Sequence, residues 1–264
     1  MTETLDGSMG GAAGGGATGR RGSWGSSLLA AGLLALASPA GAVLPIDDFS
    51  SDQTLDLLVG EPSVSGVAPA PAALGGERDL EITRVSGSGT ANVNVNGGIP
   101  PMGELQFSSE FETETTLRAV WDGEDGVADQ VDVGGIGPLD LSQGGTLDAF
   151  AIEFFADVPT TLTLRVYNGS DPTGESWSEA TVPVASTGGQ FATLEVPFSE
   201  FTMSGPGGAA DFALAGAISL EVTGPPSFDI AMNSVQVVPE PAATPLAGLA
   251  ALALLARQRR RGEC

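Results

Sequence analysis

The chain has 264 residues, with 33 Asp and Glu against 10 Lys and Arg, no His, and a formal net charge of −23. Every basic residue is Arg, and binding a polyanion such as nucleic acid needs clustered cations to displace its counterions, so no nucleic-acid partner is expected. One Cys and no His exclude zinc sites of the Cys/His type, His-dependent triads, Cys-His nucleophiles and internal disulfides, which leaves carboxylate chemistry, hard-cation binding or no chemistry.

Residues 1–42 read as a signal peptide. A Gly/Ala-rich lead ends in Arg20-Arg21, an apolar run follows from Leu28 to Ala37, and Ala40 and Ala42 place small residues at the −3 and −1 positions of a cut before Val43. The run is about half of the ~20 residues a membrane span requires. Arg20-Arg21 also admits a twin-arginine route, although Gly22-Ser23-Trp24 stands where that signal usually has a large apolar pair, and Met9 offers a second start of translation.

Residues 43–237 read as one all-β domain, a single jelly-roll-type antiparallel β-sandwich. Alternating or β-branched segments bounded by Gly, Pro, Asn or Asp predict nine strands, over 80–85, 91–96, 104–111, 115–121, 148–156, 160–167, 192–198, 217–222 and 227–238. No segment of this body sustains a 3.6-residue period. Gly-containing turns at 85–89, 96–98, 168–170 and 205–208 fall where positive φ is needed. Residues 43–238 hold 29 Asp and Glu against Arg78, Arg84, Arg118 and Arg165, a net charge of −25, and such a surface attracts cations.

The last segment, 238–264, reads as a sorting signal. Val238-Pro239-Glu240-Pro241 precedes an apolar stretch from Leu246 to Ala256, which predicts a short hydrophobic helix, and then Arg257, Arg259, Arg260 and Arg261. This order resembles the PEP-CTERM signal of exported bacterial proteins. Prolines keep the triplet extended and accessible, while the Arg cluster stays cytoplasmic under the positive-inside rule. The resemblance implies an exosortase-type processing enzyme as partner and a transient inner-membrane anchor. Cys264 lies on the discarded side.

Within the body, Ile46-Asp47-Asp48-Phe49, Gly75-Gly76-Glu77-Arg78-Asp79-Leu80, Val120-Trp121-Asp122-Gly123, Leu139-Asp140-Leu141, Asp148-Ala149-Phe150, Ala210-Asp211-Phe212 and Phe228-Asp229-Ile230 are similar to secreted bacterial sandwich proteins of no established activity, which are carbohydrate-binding-module-like. That resemblance implies paired terminal strands and a structural calcium near them, held by Asp47 or Asp48 with Asp229. A second calcium candidate is the Gly-containing loop carrying Asp122, Glu124 and Asp125, followed by Asp129 and Asp132, since calcium takes six to eight oxygens. Its spacing is not that of an EF-hand, and acidic loops are often only solvated.

Glu77-x-Asp79-x-Glu81 resembles the E-x-D-x-E strand of laminarinase-type glycosidases, where alternate residues share a face and supply nucleophile, orienter and acid. Arg78 departs from that pattern, as do Ile82-Thr83-Arg84 after it. Sugars stack on exposed rings, which makes Trp177 and Trp121 the candidate ligand-binding residues. The sequence therefore predicts a non-catalytic, calcium-stabilised, glycan-binding sandwich, exported to the cell surface or extracellular polysaccharide matrix of a Gram-negative-type bacterium. The competing prediction is a glycoside hydrolase using Glu77, Asp79 and Glu81.

Overall fold

The computed structural model describes residues 43–97 and 103–239. Ala40, Ala42, Glu240, Pro241, Arg257, Arg259, Arg260, Arg261 and the apolar stretch 246–256 lie outside the described residues. Among the described residues no helix is long and apolar enough to cross a membrane.

Two antiparallel sheets form the sandwich. Sheet 1 runs in the order β11 (Ala192–Pro197), β8 (Ala149–Ala156), β14 (Asp229–Val238), β6 (Leu105–Ser109), β5 (Ala91–Val95) and β2 (Gln53–Leu57), and β1 (Leu44–Asp47) joins β14 beyond the end of β6. Sheet 2 runs β12 (Thr202–Met203), β10 (Trp177–Val184), β9 (Thr160–Asn168), β13 (Ala215–Thr223), β7 (Glu114–Trp121), β4 (Glu77–Ser86) and β3 (Ser63–Pro69). Alternation along each strand sends Leu80, Ile82, Leu117, Leu164 and Leu220 from sheet 2 against Val93, Phe107, Ile152, Phe154 and Val235 from sheet 1.

All nine predicted strands are present. Five others, β1, β2, β3, β10 and β12, were not predicted as strands, and they lie toward the margins of the sheets. There the usual signals weaken. β3 carries Gly66 and Pro69, and β10 carries Pro183 beyond Ser178 and Glu179, the only positions at which β12 pairs with it.

The interior of the sandwich holds an ion pair. Arg78, wholly buried on β4, donates from Nε to Asp47 Oδ2 at 2.6 Å and from Nη2 to Oδ1 at 3.1 Å. The same carboxylate accepts from Trp121 Nε1 at 2.9 Å and from the Phe49 amide at 2.8 Å. Nη1 reaches the Ser51 carbonyl at 3.2 Å, and the guanidinium lies 5.3 Å from the centre of the Phe49 ring. Bidentate geometry and full hydrogen bonding are what such a pair needs to offset the desolvation of two charges. It joins β1 of sheet 1 to β4 and β7 of sheet 2.

Asp47→Ala leaves the buried guanidinium without a counter-charge and is expected to cost about 3 to 5 kcal/mol in urea denaturation. Adding Arg78→Met should restore most of that loss, because the double variant strands no charge. A double variant as unstable as Asp47→Ala alone would show that packing around Phe49, not the charge, sets the cost.

Candidate functional site

The structure does not bring together the carboxylates expected at the terminal strands. β1 pairs with the far half of β14, Asp47 opposite Val235, whereas Asp229 opens β14 opposite Ser108. Six residues of strand, about 20 Å, separate the two positions. Asp47 is engaged with Arg78 in the core, and exposed Asp48 accepts the Ser50 amide at 3.0 Å; hydrogen bonding from Ser50, its side chain first and then its backbone, holds the Asp48 carboxyl below the usual range. The terminal strands do pair, as expected.

Neither tryptophan stands free. Trp121 is wholly buried, its indole N–H donated to Asp47. Trp177 lies opposite Tyr167 with ring centres 6.3 Å apart, and the Arg165 guanidinium covers it at 5.2 Å. Arg165 is itself held by Glu179 at 3.0 Å.

Two constellations that are separate in sequence meet at one end of sheet 2. With Arg78 turned inward, the alternation of β4 turns Glu77, Asp79 and Glu81 outward. β4 pairs with β7, Asp79 opposite Val120, so the loop leaving β7 passes over the first two. Gly75 approaches Gly123 so closely that a Cβ on Gly75 would lie 2.9 Å from the Gly123 amide nitrogen. The Gly126 amide donates to Glu77 Oε1 at 2.9 Å, and the Asp132 amide to Asp122 Oδ2 at 2.7 Å. Carboxylate oxygens of Glu77, Asp79 and Asp125 lie within 4.8 Å of one another. Asp79 and Asp122 are each 1 % exposed, and among the described residues no donor reaches either oxygen of Asp79 or Oδ1 of Asp122. Burial first, then the charge of Asp122 and the proton that Asp79 can share with it, then the charges of Glu77 and Asp125, push the Asp79 carboxyl up to about 8. Burial likewise raises Asp122 to about 6, against the lowering effect of the Asp132 amide. Glu124, exposed, is not among the grouped carboxylates. Glu81 is turned to Arg118, 3.3 Å away.

On sheet 1 the residues alternating with the core line a groove of about 570 Å³. Its floor is two rows crossing the sheet. Thr54, Asn94, Gln106, Ala231 and Phe155 stand side by side in one; Asp56, Asn92, Ser108 and Asp229 form the other. Small Ala231 lowers the floor beside Phe155, whose ring centre is 6.2 Å from that of Phe191, itself 37 % exposed. Amides and hydroxyls thus lie along one side and two rings along the other. Among the described residues, no basic residue lines this groove. The signal was present in Ala91-Asn92-Val93-Asn94-Val95, where an amide alternates with each core residue.

No family profile matches the chain, and no curated protein matches it. Among solved structures, it is similar to a family 11 carbohydrate-binding module from Clostridium thermocellum, in complex with a β-1,3-1,4-mixed-linked tetrasaccharide, at 11 % identity over 76 % of this chain and 97 % of that one, with a TM-score of 0.37. It is similar also to the family 30 carbohydrate-binding module of a cellulosomal cellulase of Clostridium thermocellum, at 12 % identity over 76 % and 99 % of the two chains, with a TM-score of 0.41.

The raised carboxyls give the cation-free protein an unusual pH response. Between about 4 and about 8 the folded state retains protons that an unfolded Asp has released, so stability falls as pH rises through that window. Denaturation in the presence of chelator should show this slope, and Asp79→Asn should flatten it. A stability that rises across the window and is indifferent to Asp79→Asn would contradict the burial of these groups.

Proposed function

We propose that this protein is an exported, non-catalytic sandwich that binds a neutral polysaccharide in the groove on sheet 1. The observation that carries the reading is the groove floor itself. Asn92, Asn94 and Gln106 present planar amides that donate and accept hydrogen bonds, and Phe155 and Phe191 offer rings to the C–H faces of sugars. Asp56 and Asp229 with no base nearby disfavour a polyanionic glycan. The hydrolase reading is less well supported, because Glu77 and Asp79 are 9 % and 1 % exposed beneath the loop that follows β7 and so are closed to a polymer.

Titration calorimetry of the secreted protein against neutral β-glucans, mannans and galactans and against uronic-acid polymers tests this. Binding is expected to a neutral member, with no release of reducing ends. Phe191→Ala should lose ~1 to 1.5 kcal/mol, about a tenfold rise in Kd, while Trp177→Ala leaves Kd unchanged. Absence of binding across the panel, or loss with Trp177→Ala alone, would overturn the assignment to this groove.

The order of the terminal segments supports export through a cleaved signal and sorting by an exosortase-type enzyme, with attachment to the surface or extracellular matrix. Mass spectrometry of the mature form should give an N-terminus at Val43 and no peptide from Leu246 to Cys264. A secreted chain that still ends in Cys264 would count against sorting.

A further inference from the structure

The acidic cluster on sheet 2 is electrostatically incomplete, and nothing among the described residues completes it. The body contains four cations and each is committed elsewhere. Arg78 is buried against Asp47, Arg118 faces Glu81, Arg165 faces Glu179 and Glu221, and Arg84 donates to the carbonyls of Leu58, Glu61 and Gly89. With no Lys or His in the chain, no other side chain among the described residues can neutralise Glu77, Asp79, Asp122 and Asp125.

We propose that these four carboxylates hold one calcium ion, which clamps the loop leaving β7 onto β4. Two oxygens bound to one calcium at about 2.4 Å can stand at most about 4.8 Å apart, and the oxygens of Glu77, Asp79 and Asp125 satisfy that limit as they stand. Asp79 provides the independent sign. Its carboxylate is 1 % exposed, lies within this group, and has no donor among the described residues. A buried carboxyl that no N–H reaches is costly to ionise, and a bound cation is the partner that lets it do so. Asp122 repeats the pattern, one oxygen fixed by the Asp132 amide and the other free of donors. An all-oxygen, carboxylate-rich donor set belongs to a hard divalent cation, and calcium accepts the irregular geometry of two strand residues and a loop where magnesium demands an octahedron. The ion would join positions 77 and 79 to positions 122 and 125, two stretches that Gly75 and Gly123 already allow to touch. This site is on the sheet opposite the groove, so the inference stands independently of glycan binding.

The test uses the secreted protein stripped of divalent ions with chelator. Calorimetry should find one calcium per chain at up to millimolar concentration, and Tm at fixed ionic strength should rise more with calcium than with equal magnesium. Asp125→Asn, a change at an exposed loop position, should weaken calcium binding at least tenfold with an unchanged circular dichroism spectrum. Asp79→Asn should abolish binding while raising Tm in chelator at neutral pH, since the folded state no longer has to retain a proton that an unfolded Asp releases. Stoichiometric calcium retained by both variants, or equal and mutation-independent responses to calcium and magnesium, would overturn the proposal; the latter would show only diffuse screening of the acidic surface.

Discussion

The bond between Arg78 and Asp47 fixes more than the distance between two sheets. A guanidinium has no acceptable place in this core except against that carboxylate, so it sets which face of β4 looks inward. Strand registers are intolerant in this respect: a slip of one residue would exchange the faces of the whole strand. With Arg78 inside, Leu80 and Ile82 follow it into the core, and Glu77, Asp79 and Glu81 must face out. The acidic cluster therefore exists in its present form because of an ion pair on the other side of the same strand. Trp121 extends this control to β7, since its indole N–H is bound to the same carboxylate and the next residue is Asp122.

Much of the architecture was legible because it rests on local alternation. Segments such as 160–167 and 217–222 alternate cleanly, and both became inner strands with two hydrogen-bonded neighbours. Strands near the margins were silent because a strand with one neighbour tolerates Pro and Gly. The site was only half legible for a different reason. Glu77 and Asp79 on one side, Asp122 and Asp125 on the other, were each visible as carboxylate groups, but nothing within either stretch says that β4 and β7 are neighbours. Pairing between strands about forty residues apart is a property of the sheet. The role of Asp47 was hidden in the same way, because its partner is 31 positions away and on the other sheet.

The two faces divide the work. Sheet 1 turns the amides of Asn92, Asn94 and Gln106 and the rings of Phe155 and Phe191 outward, whereas sheet 2 collects Glu77 and Asp79 under a loop. Under the calcium proposal the clamp and the groove lie on opposite sheets, and neither Glu77 nor Asp79 nor Asp122 nor Asp125 lines the groove.

The position of β14 has a mechanical meaning. This final strand sits inside sheet 1, bonded to β8 along one edge and to β6 and then β1 along the other, and Leu44 lies directly opposite Val237. Both ends of the body thus leave from one place. A pull on the C-terminal end runs along β14 and loads the hydrogen bonds of both its edges together, in shear, instead of opening them one at a time as at a peeled margin. A sandwich held by that end would resist flow through its strongest direction.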